Sequence, residues 1–462
     1  MSSLRVHADL IRRYDVAGPR YTSYPTAVQF HPSFTDKEYR EVAMRARGPL
    51  SPGPLSLYVH VPFCASPCFY CGCNRVITRS YDRAQAYLHR LYREIGLQAA
   101  LFDRARTVEQ LHFGGGTPTF LHPNELTALM GQLRTHFTLS DSPAREYSIE
   151  IDPRTVTPDY VHALAAMGFN RMSLGIQDFD RAVQVAINRI QPVEDTLRVI
   201  ESAREAGIGS LSFDLIYGLP RQTLEGFSRT LDVVIASRPD RLAVYGYAHM
   251  PQVFKAQRRL ERSELPSPAL RLELLRMSIE RLTGAGYEYI GLDHFALPTD
   301  ELVKAKRAGA LHRNFQGYST RANLDLVAVG VSAIGHVGDA YSQNEKQLPE
   351  YYRALDAGRL PIQRGVRLTP DDTLRAAVIQ SLMCHEQVDF DIVERTFGID
   401  FAEYFGAELA RLETLELDGL VERRPRGLLV TPAGRLLVRH VAMVFDAYLA
   451  AQQAQQRYSK VI

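Results

Sequence analysis

The sequence predicts an α/β protein: a parallel sheet with helices outside it, closed or partly closed as a barrel, followed by a smaller, mostly helical domain. From about residue 56, short β-branched runs alternate with amphipathic stretches, which is the pattern of repeated strand–helix units. Near residue 365 that alternation stops and helical segments take over. The chain has 462 residues, 45% of them hydrophobic and 23% charged, enough apolar material for more than one core.

The elements follow in order. Residues 1–55 are rich in proline and tyrosine, and Pro19-Arg20-Tyr21-Thr22-Ser23-Tyr24-Pro25-Thr26 is turn-like. This N-terminal extension is expected to lie over the barrel and to cover its active site. Residues 57–61 form a first strand, and 108–113, 147–151, 171–176, 210–216 and 241–245 form five more. Helices are expected at 83–101, where Leu88, Leu91, Ile95 and Leu97 recur among charges, and at 123–136, 157–167, 193–206 and 224–236. Beyond 365, helices near 371–384, 389–396 and 401–417 lead into a hairpin at Leu428-Leu429-Val430 and a terminal helix, a winged-helix-like arrangement. The organisation expected is therefore 1–55 as extension, 56–365 as catalytic barrel and 366–462 as helical domain. In such barrels the chemistry sits at the carboxyl ends of the strands.

Composition excludes several classes. A net charge of +2 is far from the excess of a general nucleic-acid binder. Arg423, Arg424 and Arg426 then read as a solvated turn rather than a DNA-reading wing. The first residues, Met1 to Asp9, lack the apolar core of a signal peptide, and no stretch of about 18 uncharged apolar residues predicts a membrane span. A soluble, cytoplasmic protein with reduced thiols is expected.

Four of the five cysteines, Cys64, Cys68, Cys71 and Cys73, lie in one short loop directly after the first strand. A disulfide framework would spread them to staple distant loops. Clustering points to a metal or iron–sulfur site instead. Three thiolates at Cys-x3-Cys-x2-Cys leave one iron of a [4Fe–4S] cube without a protein ligand, where a small molecule can bind. A structural zinc knuckle with Cys73 or a histidine as fourth ligand also fits these spacings, although no second ligand pair follows. Cys384, on a predicted helix, reads as a buried small hydrophobe.

The second strand ends in Phe113-Gly114-Gly115-Gly116-Thr117-Pro118, where three glycines let the backbone approach a ligand with no Cβ in the way. A glycine strand placed one strand after a three-cysteine loop resembles the radical S-adenosylmethionine (SAM) superfamily. Within it, the chain resembles the family of oxygen-independent coproporphyrinogen III oxidases, from Pro19–Thr26 to the final Tyr458-Ser459-Lys460-Val461-Ile462. The matching residues include Cys71-Gly72-Cys73-Asn74, Ile149-Glu150-Ile151-Asp152-Pro153, Gly175-Ile176-Gln177-Asp178-Phe179, Asp214-Leu215-Ile216-Tyr217-Gly218-Leu219-Pro220, Tyr247-Ala248-His249 and His312-Arg313-Asn314-Phe315-Gln316-Gly317-Tyr318.

That resemblance implies a partial (β/α)6 barrel, one [4Fe–4S] cluster and two SAM molecules. By it Cys64, Cys68 and Cys71 hold the cluster, and Cys73 belongs to the pattern without being a ligand. Tyr58, Gly115, Glu150 and Ile334 match positions around the SAM on the cluster. Tyr70, Gly116, Thr117, Gln177, Arg189, Asp214 and Ala248 match positions around the second. Tyr58, Glu150, Phe315 and Gln316 are the implied catalytic residues, the last two lining the pocket. Glu150 and Asp214 suit ribose hydroxyls or an ammonium, and Arg189 suits a carboxylate. The implied reaction converts two propionates of coproporphyrinogen III to vinyl groups in haem biosynthesis through a 5′-deoxyadenosyl radical. A reductant such as flavodoxin or ferredoxin and a monomeric state are also implied. The substrate carries several carboxylates, and Arg20, His312 and Arg313 are candidate partners for them. His60 and His249 read as packed or capping histidines. A haem chaperone branch of the same superfamily shares the cluster loop but generally lacks a segment like Pro19–Thr26 and carries an aromatic in place of Cys73.

Overall fold

A computed structural model describes residues 8–14, 16–46, 53–322 and 324–449. The stretch before residue 8 and the closing segment Tyr458–Ile462 lie outside the described residues. The chain divides into two compact units: Phe30–Leu270 with Asn323–Arg367, and Met1–Gln29 with Arg271–Ala322 and Leu368–Ile462.

The first unit is built on six parallel strands, β1 (Leu55–Val61), β2 (Thr107–Gly115), β3 (Glu146–Ile151), β4 (Arg171–Gln177), β5 (Ser210–Tyr217) and β6 (Arg241–Gly246). Each strand pairs with the next in sequence, so the sheet winds steadily in one direction. The crossovers are α1 (Asp82–Ala99), α2 (Pro123–His136), α3 (Pro158–Met167), α4 (Val193–Glu205) and α5 (Leu224–Ser237). This is the alternation read from the sequence, with element ends shifted by one or two residues. Leu55, Leu57, Val59 and Val61 of β1 are alternate residues, share one face of the strand and are all buried, while Ser56, Tyr58 and His60 lie on its other face. Among the described residues β1 and β6 do not pair, so the barrel is partial. A seventh parallel strand, β7 (Asp325–Val329), flanks β1 on its other side. Its run Leu326-Val327-Ala328-Val329 was available in the sequence, but its partner lies more than 250 positions earlier and periodicity carries no pairing information. Antiparallel β8 (Ile334–Val337), β9 (Ala340–Asn344) and β10 (Ile362–Arg367) continue the sheet.

A buried polar network fixes the turn between β7 and β8. Glu94 of α1 is fully buried; its carboxylate accepts from the Gly330 N–H (2.8 Å), Asn344 Nδ2 (2.6 Å) and the Tyr351 hydroxyl. Beside it, the Tyr87 hydroxyl donates to the His60 carbonyl (2.6 Å) and accepts from the Val331 N–H (3.1 Å). Burial pushes Glu94 up to about 7 despite these donors. Removing the acceptor strands three buried donors, each costing ~1–3 kcal/mol, and relief of the charge's burial offsets part of that. Glu94→Ala is expected to lower unfolding stability by about 3 kcal/mol in anaerobic urea titration; a change below about 1 kcal/mol would leave the network without energetic weight.

In the second unit the helix Pro370–His385 starts from a Thr369–Asp372 capping box. Phe390–Phe397 follows it, and a three-stranded sheet is ordered Gln387–Asp389, Gly427–Val430, Val421–Arg424. The helix expected at 401–417 is instead three short pieces, Phe401–Tyr404, Gly406–Arg411 and Glu413–Leu417. Phe401 stacks on Phe390 at 3.9 Å and Phe405 meets Phe445, so the bends follow aromatic packing rather than helix periodicity. Arg426 pairs with Asp391 and Glu394, and Arg423 with Glu416 at 2.8 Å, which occupies the exposed arginine run. Pro19–Thr26 is built into this unit. Tyr21 donates to Asp446 (2.9 Å), the Ala447 N–H donates to the Tyr24 hydroxyl (3.0 Å) and Arg439 donates to the Pro19 carbonyl (2.8 Å). Cys384 is buried, its thiol pushed up to about 12 by burial. Among the described residues no helix is long and apolar enough to cross a membrane.

Candidate active site

The carboxyl end of β1 runs through Pro62 into the cysteine loop. One guanidinium holds that loop in shape: Arg75 donates to the carbonyls of Cys68 (3.2 Å), Cys71 (3.0 Å) and Cys73 (3.4 Å). Three carbonyls turned toward one cation fold the loop back on itself, and Cys64, Cys68, Cys71 and Cys73 all face the same cavity. The Cys64 sulfur lies 3.4 Å from the Thr117 hydroxyl, and the Cys73 N–H donates to the Cys71 sulfur at 3.4 Å.

The glycine strand explains itself physically. Gly116 donates to the Val61 carbonyl at 2.9 Å, and a Cβ there would sit 2.5 Å from the Pro62 carbonyl oxygen. Gly115 has φ 125°, a conformation side chains rarely adopt. The glycines therefore let the end of β2 press against the start of the cysteine loop. The Gly115 N–H donates to Glu150 at the end of β3 (3.2 Å), and His112 Nε2 lies 3.4 Å from the same carboxylate. Tyr58 stacks on His112 with ring centres 5.8 Å apart.

Residues of β4 and β5 line the same cavity as the cysteines. Gln177 closes β4 at φ 66°, in the left-handed region, and its Oε1 is buried without a partner. Asp214 of β5 accepts from Ser173 (3.1 Å); burial, then the charge of Glu150, pushes its carboxyl up to about 7. Arg189 donates to the Gly175 carbonyl (2.7 Å) and to Asp152 (3.1 Å), and its Nη1 lies 3.6 Å from the Cys68 sulfur. Asp152 is buried, which alone would raise it, yet Arg189 and Arg154 hold it down to about 2.

These residues enclose a cavity of about 460 Å³, within the range of small-molecule sites. Cys64, Cys68, Cys71, Tyr70, Gly115, Gly116, Thr117, Glu150, Gln177, Arg189 and Asp214 all line it. Four thiols line it, with unpartnered buried atoms on Gln177, Arg75 and Arg189, donors enough for a three-thiolate cluster and a polar ligand.

The profile of the Radical SAM superfamily matches residues 58–234, and that of the HemN C-terminal domain matches 368–437. The chain is 51% identical over 462 residues to an oxygen-independent coproporphyrinogen III oxidase of Pseudomonas aeruginosa, covering all of both chains. The chain belongs to the oxygen-independent coproporphyrinogen III oxidase family. To the oxidase of Escherichia coli K12 it is 46% identical, covering 98% of each. The solved coproporphyrinogen III oxidase of Escherichia coli, described as a radical SAM enzyme, superposes with TM-score 0.92 at 45% identity, over 97% of this chain and all of that one. Like other members of this radical SAM oxidase family, the chain uses a [4Fe–4S] cluster and SAM.

Not every expected site residue of this coproporphyrinogen oxidase lies on the cavity wall. Tyr58 packs on the His112 ring, Ala248 follows β6 and accepts from Gln257 (3.2 Å), and Ile334 opens β8. Phe315 and Gln316 occupy the turn of the hairpin His312–Asn314 with Gly317–Ser319, in the second unit. There Arg20 is paired with Asp293 at 2.5 Å, and Arg313 is buried over the Tyr318 ring. His312 is held low by burial and by His385. His60 is buried, its ring nitrogens set against Tyr58 (3.0 Å) and the Asn74 carbonyl (3.1 Å), and His249 lies against Tyr247 (3.0 Å). Sequence reasoning missed Arg75 and Arg154 and gave Asp152, though quoted within a motif, no role. Arg75 follows the quoted Cys-Gly-Cys-Asn run by one position and Arg154 follows Asp152-Pro153, so those two lay one residue beyond the motifs.

Proposed function

We propose that the chain converts two propionates of coproporphyrinogen III to vinyl groups without oxygen, giving protoporphyrinogen IX in haem biosynthesis. The observation that carries this is the cavity lined by the thiols of the cysteine loop, the glycine strand, Glu150 and Asp214; the full-length relatives supply the substrate. Cys64, Cys68 and Cys71 would hold the cluster. Tyr58, Gly115, Glu150 and Ile334 would hold the SAM on it, and Tyr70, Gly116, Thr117, Gln177, Arg189, Asp214 and Ala248 a second SAM. When bound, these groups supply a 5′-deoxyadenosyl radical, able to take hydrogen from an unactivated propionate carbon.

The chain's own residues orient and neutralise. Glu150, fixed by the Gly115 N–H, offers its remaining lone pairs to an ammonium or a ribose hydroxyl. Gln177 brings an acceptor with no protein partner, and Arg189 a guanidinium suited to a carboxylate. Phe315 and Gln316 would line the substrate's side of the site. A single-electron reductant such as flavodoxin or ferredoxin feeds the reaction, and a separate acceptor takes the electron left when carbon dioxide departs. The working form is a cytoplasmic monomer.

The test is anaerobic turnover of reconstituted protein with SAM, dithionite, coproporphyrinogen III and a cell extract as acceptor source. Protoporphyrinogen IX formed together with 5′-deoxyadenosine is the expected result. Deoxyadenosine without the vinyl product would discard the substrate and direct attention to haem binding.

A further inference from the structure

Arg154 lines the same cavity beside Asp152 and Arg189. Arg154 sits in the single helical turn Pro153–Thr155, directly after β3 and Asp152. Asp152 caps that turn, accepting from the Arg154 N–H (3.1 Å), and grips the same residue's side chain through Nε (2.9 Å) and Nη2 (2.6 Å). A bidentate pair of this kind fixes the plane of the guanidinium. So held, Arg154 Nη2 lies 3.8 Å from the Cys68 sulfur. Arg189 Nη1 approaches the same sulfur at 3.6 Å while sharing Asp152. Two guanidiniums and one carboxylate leave one positive charge in excess beside Cys68. Arg75 is different: it donates to backbone carbonyls of the loop.

We infer that Arg154 is a positioning residue for the iron–sulfur centre: locked by Asp152, it holds an N–H against the Cys68 sulfur and makes the bound cluster easier to reduce. The physical reason is general. A cluster on three thiolates becomes more negative on accepting an electron, and N–H donors and positive charge at a ligand sulfur favour the more negative state. The pair is also protected from titration near neutral pH, since Asp152 stays ionised down to about 2. A purely local role, closing the turn, needs only the backbone cap that Asp152 already provides. The inference rests on Cys68 being a cluster ligand.

The experiment uses anaerobically reconstituted full-length holoenzyme as wild type, Arg154→Gln and Arg154→Lys. Iron and sulfide content are measured first, and then the midpoint potential of the loaded cluster by redox titration followed by electron paramagnetic resonance, without SAM. Arg154→Gln keeps an N–H but loses the charge. Its one-electron reduction equilibrium is expected to become about tenfold less favourable, which is ~59 mV lower in potential. Arg154→Lys keeps the charge but loses the fork, and a smaller shift in the same direction is expected. Wild-type potential in both variants overturns the inference, even if cluster content or thermal stability has fallen. Should Arg154→Gln fail to load, Arg154→Lys decides alone: a lowered potential supports the inference and an unchanged one overturns it. Cys68→Ser separates the two readings. If that protein still carries a SAM-responsive cluster, the ligand assignment fails; if it does not, and the Arg154 potentials are unchanged, only the present inference fails.

Discussion

Anaerobically reconstituted Cys68→Ser protein is expected to lose the brown cluster chromophore, to carry far less than the about four irons per chain of the wild type, and to form no 5′-deoxyadenosine. Cys73→Ser is expected to keep the colour, the iron and most of the SAM cleavage. Both thiols face the cavity, so distance alone does not separate them. The surrounding charges do. The Cys68 sulfur has the Arg154 and Arg189 guanidiniums at 3.8 Å and 3.6 Å, two cations able to offset negative charge placed at that sulfur. The Cys73 thiol is pushed well above its ordinary value, first by its contact with Cys71 and by desolvation and then by the charge of Glu150, with Arg75 opposing this only in part. A serine hydroxyl in place of Cys68 offers a poor ligand for a soft iron site and leaves two cations facing a neutral oxygen. Loss of iron in Cys73→Ser, with retention in Cys68→Ser, would reverse the assignment and reopen a four-cysteine centre.

The barrel was legible because each strand–helix unit is local. The run 57–61 opening into a cysteine loop, and the glycines closing the next strand, carry their own periodicity and turn chemistry. Cys64, Cys68, Cys71, Gly115 and Glu150 meet because parallel strands in sequence order bring successive carboxyl ends together. The rest was not local. β7 pairs with β1 across most of the first unit's sequence, and the Glu94 network joins α1 to residues 330–351. No alternation of apolar residues announces such contacts. The helix expected at 401–417 failed for a related reason: Phe401 and Phe405 pack on Phe390 and Phe445, and tertiary contacts outweigh propensity in short segments. In the site, the reason assigned to the glycines was too narrow. Their absent side chains are needed first by the protein, where Gly116 meets the Pro62 carbonyl, and only then by a ligand. Arg154 escaped notice because an arginine two residues after an aspartate is an ordinary local ion pair until the fold sets Cys68 beside it.

Asp214→Asn is expected to weaken SAM binding at pH 8 by roughly 10–100-fold, the ~1.5–3 kcal/mol of a hydrogen bond to a charged group, and to abolish its pH dependence. Burial, and after it the charge of Glu150, pushes the Asp214 carboxyl up to about 7, so near neutrality it lies between its two forms. SAM brings a sulfonium and an ammonium, and a cation favours the ionised carboxylate. Wild-type affinity should therefore rise with pH through about 7 and level off above it, by up to about tenfold for each unit below. The sign for the SAM-free fold is opposite. A carboxyl raised in the folded state contributes stability that is fully present below its ordinary range and is lost as pH rises through about 7. SAM-free wild type should thus lose stability as the pH rises from 6 to 8, while the SAM-bound form gains relative to it. The asparagine keeps the shape and an acceptor for the Ser173 hydroxyl, which sits 3.1 Å from the native carboxylate, but cannot ionise. Calorimetric SAM titration of both proteins at pH 6, 7 and 8, under anaerobic conditions, reads the affinity and its slope together. Equal slopes in the two proteins would assign the titrating group elsewhere; a flat slope in the variant alone puts it on Asp214.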